Sequence, residues 1–525
     1  MMEPDNKARR GQSRFVANTA ALGTSTVFAA VLTLVQVKIL AAFLTLEDFG
    51  LFAALRGFSL LVAMLAANGF PQLLIRFLPH YESKKQLSRA LVLSGLCFLA
   101  PLFLLTVFVF VIESNRAFFF GFASASLPAS AESVSNLILW IYATTLGVTL
   151  KLLLYGGLNG LRRLPAQVTL ELSSVVVQVV WIYLWRDHLT MTRLFMILGV
   201  TSLAVCAAGL PWYFARLFRD TAPGTVAADS GNGKPGGYLE YWLGATGLSV
   251  VAVAFTDVDR FVLSQVLALE ILSLFHVGSR VLRLANRFLA VPILAFQPEV
   301  TRLDAEGRQD AIESSTRVFF KFNAAIAVAV AVALWALAPD VVRLISSARY
   351  DAAVPLLRIL VLSIPLTAMT APLTSVMKAL DHVRRALYCD VAWAVTYLFL
   401  LIMLSATYGL VGAGIAQVAA SLIQLTLAVA LSPVRIGAGY GRLLVTVVAK
   451  TALCAGVAFA PLIVAGVLMA PSPVAFAVKI ALLVLALFVY RTMARIVHVF
   501  DAVERDALID LLRRRGFGGV ARRIV

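Results

Sequence analysis

Residues 44–52 read LTLEDFGLF, and residues 267–275 read LALEILSLF, so that five of the nine aligned positions are identical. Each copy lies where one long apolar run gives way to the next. The same signature at the same place predicts that the chain consists of two related halves, each beginning with a similar pair of helices. Chance identity is common in leucine-rich sequence, so the division also needs the support of composition and of polar gaps.

Composition predicts the solvent in which these halves fold. The 525-residue chain is 60% apolar and only 14% charged, and its mean hydropathy is +0.89. Water-soluble chains are about 45–50% apolar and about 25% charged. The sequence therefore excludes an ordinary soluble enzyme, a disordered protein and a small secreted domain, and it predicts an all-α polytopic membrane protein.

Fourteen apolar stretches are long enough to cross a bilayer, because about 20 residues span its hydrocarbon core. They lie at 15–43, 50–78, 89–112, 133–157, 166–185, 193–217, 239–258, 261–298, 316–338, 352–379, 386–408, 411–431, 444–469 and 474–497. A shorter stretch, 117–131, is interrupted by Pro128 and is predicted to be an external re-entrant or amphipathic segment. The polar N-terminus ahead of so long an apolar run predicts no cleaved signal peptide.

The longest polar gap divides the chain. Residues 220–237 are rich in Gly, Pro, Ser and Asp and follow the sixth predicted span, which predicts a flexible cytoplasmic linker. The linker separates an N-terminal lobe of six helices (1–219) from a C-terminal lobe of six (238–432), and two more helices follow (433–498). Because six helices restore the starting side of the membrane, the lobes are expected to be parallel repeats with the substrate between them.

Basic residues predict the orientation. The chain has 45 Lys and Arg against 28 Asp and Glu, a formal charge of +17. With the N-terminus in the cytoplasm, 31 of the 45 lie in cytoplasmic segments, 6 lie outside and 8 lie within predicted spans. This bias follows the positive-inside rule and predicts that both termini are cytoplasmic. The excess charge therefore indicates topology, and nucleic acid is not an expected partner.

The C-terminal tail, 499–525, has an amphipathic pattern. Its apolar face carries Phe500, Val503 and Leu511, and its other face is charged. We interpret it as a helix on the inner leaflet with Arg513–Arg515 near anionic lipid. The alternative is a helix that docks a protein.

Three arginines are the sharpest candidates for function, because a charge inside a span is costly. Arg280, Arg283 and Arg287 have spacings of three and four, which place them on one helical stripe about 10 Å long. They fall near the middle of the predicted span 261–298, too deep to reach the surface easily. Such a stripe is expected to face an aqueous cavity or an anion, and the forked guanidinium suits phosphate.

Internal ion pairing is the alternative explanation for this stripe. No acidic residue lies between Glu270 and Glu299 to pair with it locally. The acids available on other predicted helices are Glu171, Glu240 and Asp390.

The remaining candidate cations are weaker. Arg56 lies in the second predicted span, and the repeat offset of 223 places it at Ser279, next to Arg280. Both halves are then predicted to direct a cation toward a shared cavity. Lys151 and Lys38 are further candidates for substrate binding, although each could instead extend its ammonium to the membrane surface.

An acidic and basic cluster lies near the end of the seventh predicted span. Asp257, Asp259 and Arg260 could form an external gate salt bridge, a cation site or a solvated turn.

Cysteine, histidine and catalytic motifs predict no chemistry. Cys97, Cys206, Cys389 and Cys454 lie in apolar runs without CxxC spacing and are interpreted as small membrane-core side chains. The five histidines show no HExxH pattern, and there is no Walker loop or GxSxG. We therefore expect no metal, no cofactor and no catalytic residue.

The residues around the first copy of the repeat resemble a known family. Asn18-Thr19 opens the first span, LAAFLTLEDFGLFAAL (40–55) follows, and NGFPQLLIRFLP (68–79) closes the second. Together with Asp257–Ser264, they resemble the polysaccharide flippases, of the O-antigen and capsule type, in the multidrug/oligosaccharidyl-lipid/polysaccharide (MOP) exporter superfamily. These motifs cover about a fifth of the chain, whereas the match in helix number and layout covers nearly all of it.

The resemblance implies a MATE-like fold of fourteen helices, with two six-helix lobes around a V-shaped cavity. It implies a flippase in the cell inner membrane, not an enzyme, that moves a polyprenyl-diphosphate-linked oligosaccharide to the outer leaflet by alternating access. The expected partners are the lipid-linked glycan, the membrane, and a polysaccharide polymerase or other assembly proteins.

Three alternatives remain open. A cation-coupled multidrug exporter of the same fold usually places carboxylates in its cavity, but no acid lies between Asp5 and Glu47 in the first predicted span. A lipid II flippase would share a cationic cavity. A membrane scaffold would leave the arginine stripe unexplained unless it pairs internally.

Overall fold

A computed structural model describes residues 28–29, 31–121, 131–161, 163–221, 242, 245–247, 258–434, 440–469, 472–497 and 499. Within these residues all regular structure is helical and no strand occurs. The chain forms two compact units that divide between Ser273 and Leu274. The predicted linker, 220–237, lies outside the described residues except for its first two, which end a helix. The predicted lobe boundaries therefore stay predictions, as does the amphipathic tail, of which only Val499 is described.

The first unit contains the helices before the division. They are α1 (Val31–Phe43), α2 (Leu46–Ala67), α3 (Phe70–Ser83), α4 (Leu87–Ser114), α5 (Arg116–Phe120), α6 (Ala131–Gly160), α7 (Leu164–Leu184), α8 (Met191–Thr221) and α9 (Val258–Ser264). The helix α10 (Leu269–Ala305) begins at the end of this unit and continues in the second.

The second unit contains the remaining helices. They are α11 (Gln309–Ala336), α12 (Ala338–Ile345), α13 (Val354–Leu360), α14 (Ser363–Ala379), α15 (Val383–Leu431), α16 (Tyr440–Leu468) and α17 (Pro473–Ile496). Single 3₁₀ turns occur at Arg186–His188 and Ala348–Ala353.

The helices confirm the predicted class, an all-α multi-pass membrane protein. Nine described helices are long and apolar enough to cross a bilayer, or ten when a bent pair counts as one span. The helix α15 is one of the nine, although it covers two predicted spans, because its two halves join at Gly409 with a positive φ of 57°. The predicted span 239–258 lies almost wholly outside the described residues. The helix α10, which carries the arginine stripe, is 37 residues long but is not among the nine.

Two predicted spans are broken at short polar stretches inside their apolar runs. The predicted span 50–78 divides into α2 and α3 at Asn68–Gly69, where φ is 29° and then 75°. Gly69 tolerates this left-handed backbone because it has no Cβ, and a proline follows in the first turn of α3. The predicted span 261–298 is also wrong at its start, since α9 ends at Ser264 and α10 begins at Leu269.

A third predicted span is bent. The prediction 352–379 corresponds to a 3₁₀ turn and α13, followed by α14, and the two parts make an angle of 43°. The predicted segment 117–131 begins as the short helix α5, and its remainder up to residue 130 lies outside the described residues. The four cysteines are buried and free, in agreement with their interpretation as core side chains.

The two copies of the repeat meet in the first unit. Gly50 belongs to the first copy and is fully packed, and Leu269 belongs to the second. A Cβ atom added to Gly50 would overlap the backbone carbonyl oxygen of Leu269. The glycine therefore permits a close backbone approach that any larger residue would obstruct.

A buried ion pair stabilises the second unit. The Lys479 ammonium in α17 lies 2.8 Å from the Asp340 carboxylate in α12, and the two side chains are 0% and 3% exposed. The same ammonium donates to the carbonyl oxygen of Met469, 3.2 Å away. This pair ties the final helices of the chain to α12, and each charge neutralises the other in a region without water.

Substitution of Gly50 is expected to destabilise the first unit. The new methyl group of Gly50→Ala has to displace backbone, which costs about 1–3 kcal/mol, and a lower midpoint of thermal unfolding is expected. Gly95→Ala in α4 is the matched control, because a Cβ there meets nothing within 4 Å. Equal midpoints for the two variants would contradict the close approach.

Replacing one partner of the buried ion pair is expected to destabilise the protein, whereas replacing both partners is not. Lys479→Met leaves the Asp340 carboxylate buried without its cation, at a cost of about 3–5 kcal/mol. The double variant Lys479→Met/Asp340→Leu should recover most of that loss in the same unfolding measurement. If the double variant is as unstable as the single one, the pair has another role.

Candidate functional site

Two of the eight cations in predicted spans have internal partners that account for them. Lys479 is paired with Asp340. The guanidinium carbon of Arg358 lies 4.6 Å from the centre of the Trp335 ring, a cation–π contact between α13 and α11. The other six cations are the ones that the sequence selects for substrate binding: Lys38, Arg56, Lys151, Arg280, Arg283 and Arg287.

The arginine stripe lies near the middle of α10, as the sequence predicts. Arg280 and Arg283 are half-buried, and Arg287 is exposed. Arg283 donates from Nη2 to the hydroxyl of Ser279 at 2.9 Å, which directs its guanidinium along the helix. The buried imidazole of His276, one turn before Arg280, extends the polar stripe, and the sequence analysis did not select it.

A second cationic group lies in the first unit. Lys151 on α6 is within electrostatic range of Arg56 on α2, so two of the predicted binding residues come together. Lys151 is also within range of Glu171 on α7. The guanidinium of Arg56 lies 5.8 Å from the centre of the Phe52 ring on its own helix. Lys38 lies exposed on α1, and its role stays a prediction.

Two of the acids proposed as internal partners for the stripe have other neighbours. Asp390 accepts a hydrogen bond from Gln424 at 3.0 Å and lies 3.8 Å from the Lys378 ammonium. Glu171 has Lys151 within its range. Glu240 lies outside the described residues. Asp390 and Glu171 therefore each have a cationic neighbour outside the stripe.

The acidic and basic cluster near α9 is not a solvated turn. Asp259 is 4% exposed and Arg260 is fully buried. The helix α9 packs against α2, and the Phe261 ring lies 5.1 Å from the Phe58 ring. The gate and the cation site stay predictions, and Asp257 lies outside the described residues.

Sequence reasoning missed a polar face between α6 and α7. On α7 it comprises Gln167, Glu171, Ser174 and Gln178, and on α6 it includes Tyr155 and Asn159. The signal was present, because spacings of four, three and four place the α7 residues on one face of an otherwise apolar span. No group of three potential metal ligands occurs within the described part of the chain.

Comparison with known families agrees with these features. A family model described as polysaccharide biosynthesis protein matches residues 15–303, which is more than half of the 525-residue chain. A second family model, described as MatE, matches residues 294–403. The curated protein sequences contain no match.

Solved structures resemble the chain over most of its length. A lipid II flippase, MurJ, in an inward closed conformation has a TM-score of 0.65 at 14% identity, covering 91% of this chain and 99% of its own. An inward-facing multidrug resistance MATE family transporter of the MOP superfamily has a TM-score of 0.60 at 14% identity, covering 80% and 98%. A MOP superfamily transporter from Pyrococcus furiosus has a TM-score of 0.55 at 14% identity, covering 80% and 96%.

At 14% identity these likenesses show the fold alone, and it is the MOP fold of about 14 helices. The family and the fold are those of transporters and flippases and not of catalysts. Because the matching family model spans more than half of the chain, the protein belongs to the polysaccharide biosynthesis protein family and has the fold of the MOP superfamily.

Proposed function

We propose that the protein is a flippase that moves a polyprenyl-diphosphate-linked oligosaccharide from the inner to the outer leaflet by alternating access. The observation that carries the proposal is the stripe of Arg280, Arg283 and Arg287 near the middle of α10. Charged side chains within a membrane span are costly and mark substrate or ion pathways, and three cations on one helical face suit an anionic substrate.

The chemistry of the stripe suits a diphosphate. Each guanidinium can donate two parallel hydrogen bonds to phosphate oxygens, and such charge-assisted bonds are about twice as strong as neutral ones. Arg280 and Arg287 are about 10 Å apart along the helix, so a diphosphate can meet more than one of them as it moves. The polyprenyl tail can stay in the lipid while the headgroup is bound.

A drug exporter is less compatible with these charges. Cationic drugs need carboxylates, whereas the candidate residues of both units are mainly basic. Arg56 and Lys151 give the first unit a cationic group of its own. The family description supports a substrate used in polysaccharide biosynthesis. The lipid II flippase is the second candidate, because lipid II is also a polyprenyl diphosphate and the structure named for it resembles this chain.

We further propose that the protein lies in the cell inner membrane with both termini in the cytoplasm. The bias of 31 basic residues against 6 supports this orientation. A polysaccharide polymerase is the expected neighbour, since a glycan that reaches the outer leaflet has to be consumed there.

Removal of the stripe is expected to abolish transport. In Arg280→Ala/Arg283→Ala/Arg287→Ala the headgroup loses three charge-assisted contacts, each contributing about 1.5–3 kcal/mol. Glycan display should fall to the level of a deletion strain, and the polyprenyl-linked precursor should accumulate on the inner leaflet. Its sugar composition distinguishes an oligosaccharide carrier from lipid II.

Two variants serve as controls for this loss. Arg308→Ala removes an exposed arginine whose partner is Glu306 at 3.5 Å, outside the stripe, and should display glycan normally. Substitution of all three stripe residues by Lys keeps the charge without the forked geometry and should restore transport in part. Normal display by the triple Ala variant at normal protein levels would refute the proposed role.

Cysteine labelling is expected to report the orientation. The four native cysteines are buried, so they should give little background with a membrane-impermeant maleimide. Arg349→Cys and Arg384→Cys each place a thiol at an exposed position. In cells whose outer membrane has been removed and whose inner membrane is intact, only the thiol at position 349 should react. Labelling of position 384 alone would contradict the proposed topology and indicate the opposite orientation.

A further inference from the structure

Four buried polar atoms on the consecutive helices α6 and α7 have no hydrogen-bond partner within the described part of the chain. They are the Tyr155 hydroxyl and the Asn159 amide oxygen on α6, and the Gln167 amide oxygen and the Ser174 hydroxyl on α7. We call these four residues the α6–α7 seam. Buried polar groups in folded proteins almost always have a partner, and none of the described residues supplies one for these four atoms.

The same face of α7 is satisfied farther along the helix. Gln178 is 6% exposed, and its Nε2 donates to the hydroxyl of Thr201 on α8 at 3.0 Å. Gln178 lies one turn beyond Ser174 on the same face. Polar groups on this face can therefore be paired within the protein, whereas those of the seam have no partner among the described residues.

The seam leads to the cationic residues of the first unit. Glu171 is exposed, and it is within electrostatic range of both Tyr155 and Lys151. Lys151 is in turn within range of Arg56. From Asn159, in the last turn of α6, the path to Lys151 covers eight residues, or about 12 Å. Polar groups therefore line a route from the helix ends to the two predicted phosphate-binding cations.

Packing identifies the side of the seam that can move. A Cβ on Gly156 would lie 2.7 Å from the Pro71 Cα, and one on Gly160 would lie 2.5 Å from the Leu74 carbonyl oxygen. These close approaches hold α6 against α3. The opposite face of α7 instead exposes Val176 and Val177. Opening the seam therefore requires displacement of the first half of α7 and leaves α6 in place.

We propose that the seam binds the sugar hydroxyls of the lipid-linked glycan, next to Lys151 and Arg56, the cationic residues of the first unit. Amide and hydroxyl side chains both donate and accept hydrogen bonds, which is what a row of sugar hydroxyls requires. A bare diphosphate has no donors to offer these groups. The proposal rests on the proposed function and deepens it, because it assigns the sugar part of the substrate to a site of its own.

The test compares two probes on one purified, full-length protein in lipid nanodiscs. The first is the polyprenyl-diphosphate-linked oligosaccharide extracted from cells that lack the protein, and the second is undecaprenyl diphosphate without sugar. The variant Tyr155→Phe/Asn159→Leu/Gln167→Met/Ser174→Ala removes the polar atoms and keeps the side-chain volumes. It should lose about 10- to 100-fold in affinity for the first probe and bind the second as wild type does.

The midpoint of thermal unfolding distinguishes a role of the seam in binding from a role in folding. The seam atoms have no hydrogen-bond partner to lose among the described residues, so the quadruple variant should unfold at or above the wild-type midpoint. Gln178→Met is the matched control on the same face of α7. It breaks the bond to Thr201, and it should lower the midpoint without changing the preference for the glycan probe. Thr169→Val, on the exposed face of α7, should change neither quantity.

Each outcome supports or refutes the proposal that the seam binds sugar. If the quadruple variant keeps the wild-type preference for the glycan probe, the seam does not bind sugar and water alone fills it. The proposed function is unaffected by that result. If wild type binds neither probe, the proposed function fails and the seam fails with it. If the quadruple variant does not fold, the atoms are structural, and the single variants Tyr155→Phe and Ser174→Ala must then show the same selective loss or refute the proposal.

Discussion

The free-energy cost of an ionised side chain inside a bilayer limits the functions that this protein can have. Each such charge needs a partner, a polar cavity or a ligand, because the hydrocarbon offers none. Lys479 has Asp340, and Arg358 has the face of Trp335. The arginines of α10 form a stripe graded from half-buried to exposed. The proposed transport of an anionic headgroup would give this stripe a role in substrate binding.

Packing between helices depends on small residues, since lipid tails are as apolar as leucine and provide no hydrophobic drive for association. Gly50 lets the first repeat copy approach the backbone of the second, and Gly156 and Gly160 let α6 approach α3. These contacts keep α6 fixed.

Hydropathy and spacing predicted the helical class, most helix positions and the stripe, because each depends on neighbouring residues. The breaks near Gly69 and after Ser264 were missed although Asn68-Gly69 and Ser264-Gln265 mark them, because long apolar runs flank these short polar stretches on both sides. The Lys479–Asp340 pair joins residues 139 positions apart, and no local pattern indicates it. The unpartnered atoms of the α6–α7 seam likewise emerge only when two helices are placed side by side.

The central claim is that the cationic residues recognise a diphosphate at the end of a polyprenyl chain. Binding of undecaprenyl diphosphate and of undecaprenol to the wild-type protein in nanodiscs tests it most directly, because the two ligands share a tail and differ in charge. The account predicts binding of the diphosphate at least about 100-fold tighter than of the alcohol, with the difference shrinking as salt is raised. Equal affinities for the two ligands would contradict it.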